Sequence, residues 1–443
     1  MTMLEIIEKK RDKKELTKEE IEFFVTGFNG GEIPDYQASA LLMAIYLNKM
    51  TERETAELTM AMSHTGETVD LSGVPGVKVD KHSSGGVGDK TTLVVAPMAA
   101  ACGLSVAKMS GRGLGFGGGT VDKLESIPGF RTSISREEFI RHVNEDGISV
   151  MGQSMDIAPA DKKLYALRDV TGTVEDVSLI ASSIMSKKLA CNSDAIVLDV
   201  KAGSGAFMKT LDQAAALALE MVRIGVNNGR RMTAAITNMD EPLGRAVGNA
   251  LEVAEAVETL HGRGPEDFTE LCMIIGSLML VMGEKAENTD EARAMLQRTI
   301  DDGSAFAKLV KFVGNQGGDT AVLYDTKKLP QAKYALPARA AGDGVVTAIC
   351  GEEVGKATLV LGAGRYEKTD VIDPAVGAMI LKKVGDRVRR GETVAEIYAD
   401  DPDKGAAAAA MVESAYSFGE KAEKKPMLFG MADGKGVHWC AER

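Results

Sequence analysis

Apolar residues recur with a helical period through the opening stretch of the chain. Ile21, Phe24, Val25 and Phe28 fall on one face, as do Ala38, Leu41, Leu42 and Ile45. Thr17 with Glu20, and Thr51 with Glu54, have capping-box spacing ahead of such runs, and Pro34-Asp35 opens a further helix. From about residue 77 the texture changes. Short β-prone runs at 77–79, 93–95, 105–107, 195–200 and 233–236 alternate with helical stretches such as 211–224. That alternation predicts parallel strands joined by crossover helices. The stretch 159–188 is helical again, which interrupts the sheet domain and returns the chain to its N-terminal helices. Beyond Pro330 and Pro337, β-prone runs at 344–348, 357–361 and 394–397 predict a small, mostly antiparallel tail domain. The expected fold is α/β plus α. A helical domain takes 1–66 with 155–190, and an interrupted, mainly parallel α/β domain takes 67–154 with 191–329. A C-terminal α+β domain takes 330–443.

Composition narrows the class without naming an activity. A chain of 443 residues exceeds one ordinary core, and its 44% hydrophobic and 26% charged content is that of a globular protein. The net charge of −12 argues against a general nucleic-acid or membrane-surface binder. Cysteines at 102, 191, 272, 350 and 440 are odd in number and lack C-x-x-C spacing, which suits reduced thiols. The opening M-T-M-L-E-I-I-E-K-K-R-D does not read as a signal peptide, and no apolar run reaches the roughly 18 residues of a membrane helix. A soluble, cytoplasmic protein is expected.

Two glycine-rich stretches carry the candidate chemistry. Residues 80–92 read D-K-H-S-S-G-G-V-G-D-K-T-T, and residues 108–126 read K-M-S-G-R-G-L-G-F-G-G-G-T-V-D-K-L-E-S. Glycine lets a backbone approach a ligand and aim several N–H groups at one point. With Lys and Ser/Thr interleaved, such loops suit a small oxyanion, above all phosphate. Each stretch follows a β-prone run, so both are expected at the carboxyl edge of one sheet, where open α/β sheets bind ligands. His82 adds a group able to move a proton near neutral pH. A Walker A loop fails twice, because Ser84 and Asp89 stand where its glycines belong. Gly113, Gly115 and Gly118 satisfy G-x-G-x-x-G. However, Glu137 and Glu138, at the acidic position, follow Ser135 in a helix-opening context rather than ending a strand.

The stretch S-G-R-G-L-x-x-x-G-G-T-x-D-K-L-E-S-I-P-G-F, residues 110–130, resembles the signature of the thymidine and pyrimidine-nucleoside phosphorylases. V-D-K-H-S-x-G-G-V-G-D, P-A-D-K-K-L-Y-A-L-R-D-V-T, I-A-S-S-I-M-S-K-K and A-V-G-N-x-L-E-V-x-E-A look like further family blocks in family order. The resemblance implies phosphorolysis of uridine, deoxyuridine and thymidine to free base and (deoxy)ribose 1-phosphate, by a homodimer joined through the helical domain. Its partners would be inorganic phosphate and a pyrimidine nucleoside, with no nucleic acid and no membrane. By motif position, Lys81, Ser83, Thr92, Lys108, Ser110 and Thr120 look like phosphate ligands. Tyr165, Arg168, Ser183 and Lys187 look like the base-recognition group, and Leu114, Val174 and Phe207 resemble an apolar wall around the pyrimidine. His82 is the candidate proton donor to the base O2, so His82, Arg168 and Lys187 make up the expected catalytic set. Lys188 is expected to face solvent. Lysine at 108 is similar to the broader family members, whereas thymidine-restricted members tend to carry methionine there. The tail segment 382–397 resembles the hammerhead turns of lipoyl-type domains, without a lysine in the carrier context.

No cofactor is required by this reading, but broader members of the family bind a monovalent cation, usually potassium. The resemblance would place it near Gly88, residue 90, Leu243, Ala246 and Glu255. Here residue 90 is lysine rather than the common threonine. Lys90 could turn its ammonium towards Glu255 and those carbonyls, or carry its charge out to solvent and leave the metal in place. The chain also departs at Phe116 and Gly117, where the family usually carries His-Thr. Alternatives are a thymidine-restricted phosphorylase, a nucleoside- or phosphate-binding homologue with altered turnover, and a transferase of the anthranilate phosphoribosyltransferase type.

Overall fold

Four helices open the computed structural model, which describes residues 1–113, 118–152, 157–367 and 369–440. They are α1 (Met3–Arg11), α2 (Lys18–Gly30), α3 (Asp35–Asn48) and α4 (Glu52–Ser63). Thr2, Thr17 and Thr51 each close a capping box with a glutamate three residues on, which satisfies two end N–H groups per helix. Their apolar faces, including Ile6, Phe24, Leu41 and Leu58, form one core.

The chain then alternates through β1 (Val79–Ser83), α5 (Thr91–Ala101), β2 (Val106–Ser110), α6 (Thr120–Glu125), α7 (Arg136–Asp146) and β3 (Ile148–Gly152). Next come α8 (Pro159–Arg168) and α9 (Val177–Ala190). Leu164 and Leu179 from these two helices join the N-terminal core, so the sheet region is interrupted as its pattern predicted. β4 (Ala195–Ala202), α10 (Leu211–Asn227), β5 (Arg231–Asn238) and the short β6 (Ala246–Val247) resume it. Helices α11 (Asn249–Leu260), α12 (Glu266–Met282), α13 (Thr289–Asp301), α14 (Ser304–Asn315) and α15 (Ala321–Tyr324) follow.

β1, β4 and β5 pair in parallel, with Lys81 opposite Val197 and Val197 opposite Thr233. β2 and β3 form their own parallel pair, and the β-ladder reaches β1 from it through the isolated Lys78–Ser105 bridge. Val79, Val94, Val197, Phe268 and Leu271 pack on one side of the sheet. Met185, Leu198, Leu217, Met221 and Ile236 pack on the other.

The tail comprises β7 (Tyr334–Arg339), β8 (Gly344–Ile349), α16 (Gly351–Leu361), β9 (Gly377–Ile380), β10 (Arg387–Val388), β11 (Thr393–Ala399), α17 (Pro402–Ala415), β12 (Tyr416–Gly419), β13 (Leu428–Asp433) and β14 (Gly436–Trp439). β6-β9-β11-β7 and β10-β8-β12 make two antiparallel sheets around Val346, Val354, Ile380, Val394 and Ile397.

Three local expectations fail for physical reasons. Residues 93–95 lie in α5, where every side chain from Thr91 to Ala100 is buried. A helix enclosed on all sides loses its polar stripe, and its β-branched residues then look like a buried strand. Residues 357–361 lie in α16, where Val354, Ala357 and Leu361 form one helical face in the tail core. The last hairpin, inside the range 330–443, pairs outside its own region: β13 runs antiparallel to β5, with Ala432 opposite Ala234. The central sheet is therefore mixed, in the order β1-β4-β5-β13-β14.

Candidate active site

Strand β1 places charge on both of its faces. Successive side chains of a strand point to opposite sides, so Asp80 and His82 share one face while Lys81 and Ser83 share the other. On the Lys81 side, its Nζ lies 3.5 Å from Asp199 Oδ2 and 3.9 Å from Asp89 Oδ1. Lys201 Nζ approaches the same two carboxylates, at 2.8 Å and 3.8 Å. Asp199 also accepts from Thr237 Oγ1 at 2.6 Å, and Asp89 from Thr91 Oγ1 at 2.6 Å. This network joins β5, β4, β1 and the first turn of α5. Burial disfavours the Asp89 carboxylate, but Lys201 and Lys81 outweigh it and hold its pKa well below the usual range.

The Asp80 side explains why β1 and β2 part. Lys188 Nζ from α9 lies 2.7 Å from Asp80 Oδ2 and donates to the Met109 carbonyl at 2.8 Å. Lys108 Nζ from β2 donates to the Lys81 carbonyl at 2.5 Å and lies 3.9 Å from Asp80 Oδ1. Lysine ammoniums thus take carbonyls that a continuous ladder would use. The expectation that Lys188 faces solvent is wrong: its side chain is 4% exposed. α9 packs between the helical core and the sheet and has almost no wet face.

Lys81, Lys108, Lys188 and Lys201 stand against Asp80, Asp89 and Asp199 in a buried cluster, which carries one positive charge in excess when Lys108 is ionised. Burial, then Lys188, push Lys108 down to about 7 despite the pull of Asp80. His82 is held well below the usual histidine range by burial, then by Lys188, Lys108, Lys81 and Lys187. The His82 ring is therefore neutral at pH 7.

The other expected phosphate ligands line the same loops. Ser83 ends β1, with its Oγ accepting from Gly85 N at 3.1 Å, and Thr92 sits in the first turn of α5. Ser110 ends β2 and Thr120 opens α6, where Val121 N donates to Gly111 O at 3.5 Å. Lys123 Nζ ties the two glycine-rich loops together, donating to Asp89 O at 3.0 Å and Gly118 O at 2.8 Å. Asp122 holds Gly113 N at 2.6 Å and is reached from the tail by Arg365 at 2.9 Å. Leu114, Phe116 and Gly117 lie outside the described residues.

The expected base group gathers on α8 and α9. Lys187 and Ser183, one helical turn apart, meet at 3.1 Å, and Lys187 also pairs with Asp161 at 2.5 Å. Arg168 is buried and donates to the carbonyls of Thr173, Val174 and Leu179 at 3.2, 2.6 and 3.0 Å. Its guanidinium carbon stands 5.5 Å from the centre of the Tyr165 ring. Those three carbonyls leave two of its five N–H bonds for other partners. Val174 therefore contributes its backbone carbonyl to the support of Arg168. Phe207 is half exposed and covers Gly85, where a Cβ would meet the ring at 3.1 Å.

With that geometry in place, family comparisons give a consistent result. The helical bundle domain of the glycosyl transferase family matches residues 4–66, and the a/b domain of that family matches 76–306. The pyrimidine nucleoside phosphorylase C-terminal domain matches 345–419. A pyrimidine-nucleoside phosphorylase of Bacillus subtilis is 58% identical over 400 residues, covering 90% of this chain and 92% of that protein. Namesakes from Staphylococcus epidermidis and Geobacillus stearothermophilus are also 58% identical, with the same coverage. The chain belongs to the pyrimidine-nucleoside phosphorylase family.

Among solved structures, anthranilate phosphoribosyltransferase from Thermus thermophilus superposes with a TM-score of 0.57 at 19% identity. It covers 70% of this chain and 99% of its own, a likeness of fold alone. Among the described residues, no helix is long and apolar enough to cross a membrane.

Proposed function

We propose that this chain catalyses phosphorolysis of pyrimidine nucleosides. Phosphate enters at the carboxyl ends of β1 and β2, against Lys81, Lys108 and the hydroxyls of Ser83, Thr92, Ser110 and Thr120. One of its oxygens bonds to the sugar C1′ as the bond from C1′ to the base nitrogen breaks. The electron pair of that bond leaves with the base. Ser183, Lys187 and the remaining edge of Arg168 hold the pyrimidine, while Tyr165, Val174 and Phe207 flank it. Negative charge that develops on the base is met by the Lys187 ammonium and by an N–H from neutral His82 at O2. The departing base takes its proton from water or from His82 once the phosphate dianion has raised that ring's affinity for one. No redox step or cofactor enters the balance.

The observation that carries this reading is the buried lysine cluster beside His82, whose Lys188 stands on α9 next to Lys187 of the Ser183–Lys187 pair. Lys108 favours uridine as well as deoxyuridine and thymidine. The helical domain supports a homodimer: Tyr36, Met43 and Leu47 lie along one face of α3 and are exposed, as is Leu4 of α1. Five cysteines without disulfides suit a reducing cytoplasm. Spectrophotometric release of base from uridine, deoxyuridine and thymidine, with and without phosphate, tests the reading. Phosphate-dependent release from all three is expected, and release from thymidine alone would replace it with the thymidine-restricted alternative.

A further inference from the structure

Lys90, the residue before α5, is fully buried. Its Nζ lies 2.5 Å from Glu255 Oε2 and 2.8 Å from the Leu243 carbonyl, with the face of the Phe268 ring 4.9 Å away. Burial works against the charge, but Glu255, Glu252 and Asp267 outweigh it and raise the pKa above the usual lysine value. The ammonium is charged at every physiological pH.

The surrounding backbone is shaped to this group. Gly88 and Gly244 both have positive φ, at 77° and 68°. A Cβ on Gly88 would fall 2.7 Å from Leu243 O and 3.3 Å from Ala246 O. One on Gly244 would fall 2.3 Å from Glu255 Oε2 and 3.0 Å from Lys90 Nζ. Side chains are thus excluded, and two carbonyls and a carboxylate converge on one place.

That place is where the family resemblance puts potassium, and the residues present do not fit the ion. An ammonium already occupies the oxygens of Leu243 and Glu255, and a second monovalent cation would meet it at contact distance with like charge. We propose that the Lys90 ammonium is this chain's own built-in monovalent cation, fixing the turn 243–246 against the first turn of α5.

The placement gives it a task. Glu255 also accepts from Arg245 N and Ala246 N at 3.0 and 3.1 Å, so the pair sets the whole turn. Arg245 then donates to the tail carbonyls of Ile380 and Leu381, at 3.2 and 2.6 Å. Lys383 of the tail reaches back to Asp267 and Gly244 O, both at 3.0 Å. One tethered charge therefore connects the glycine-rich loop after β1 to the clasp on the C-terminal domain.

The test compares wild type, Lys90→Thr and Lys90→Met in potassium, sodium and tetramethylammonium chloride at equal ionic strength. Melting temperature is the first readout and phosphate-dependent base release the second. Wild type is expected to melt within about 1 °C and turn over within about twofold in all three salts, since no ion is taken up. Lys90→Thr is expected to melt lower in tetramethylammonium and to recover in potassium, while Lys90→Met gains nothing from potassium. A wild type whose melting temperature rises in potassium over tetramethylammonium overturns the proposal. So does a Lys90→Met variant rescued by potassium. If neither variant folds, the wild-type comparison still decides. The melting readout involves no substrate, so its outcome is separate from that of the phosphorolysis reading.

Discussion

The pH dependence of anion binding follows from Lys108. Burial, then Lys188 from α9 and Lys81 from β1, push its ammonium down to about 7 from the ordinary 10.5, against the pull of Asp80 and Asp89. A dianion in the site would favour the charged form and return its pKa towards the ordinary value. If only the charged form binds the anion, affinity is nearly constant well below pH 7 and falls about tenfold per pH unit well above it. Between pH 6.5 and 8.5 the loss is about 25-fold. Phosphate changes its own charge in this range, so sulfate, which keeps both charges throughout, is the better probe. Calorimetric titration with sulfate at four pH values across that window should give this slope, with proton uptake that grows with pH. Lys108→Met should bind weakly and without the slope. A flat sulfate affinity in the wild type, or an unchanged slope in Lys108→Met, would refute the reasoning.

Substitutions at His82, Lys187 and Lys188 probe other parts of the site. His82 is neutral at pH 7 and offers an N–H rather than a full acid, so His82→Asn should keep about a tenth or more of kcat while His82→Leu loses on the order of 10²-fold. Equal loss in both, measured on uridine, would make the imidazolium itself necessary. Lys187→Ala should lower kcat/KM for uridine by on the order of 10²-fold with little change in the KM for phosphate, and near-normal turnover would remove it from base recognition. Lys188→Met takes the 2.7 Å partner from Asp80, which keeps Lys108 at 3.9 Å, and should cost about 1–3 kcal/mol in urea unfolding. An unchanged midpoint would contradict the pairing.

The helical layer and the parallel strands were legible because their signals are local. Thr17-Glu20 and Thr51-Glu54 cap the helices they announced, and residues 195–200 and 233–236 lie in β4 and β5. What local pattern misled was total burial: α5 has no polar face, so residues 93–95 looked like a strand. The hairpin β13–β14 was illegible as part of the central sheet, since nothing in its alternation says which edge it pairs with. The loops carrying Lys81, Ser83, Thr92, Lys108, Ser110 and Thr120 announced themselves through glycine and hydroxyl content. Their supporting residues did not. Lys188 meets Asp80 across 108 residues of sequence, a pairing that only the tertiary fold creates. For Asp199 and Lys201 a signal was present: opposite charges two apart in the otherwise apolar run A-I-V-L-D-V-K-A share a strand face and must be buried as a pair. Lys90 stood between two readings, and in the folded chain its ammonium turns inward to Glu255.

The most direct test of the proposed activity is phosphorus NMR of the purified chain with uridine and inorganic phosphate. The account predicts that the phosphate signal declines as a sugar 1-phosphate signal grows, in step with uracil release. Release of uracil without a new phosphate ester would mean hydrolysis, and no release under these conditions would mean binding without turnover. Either result would contradict it.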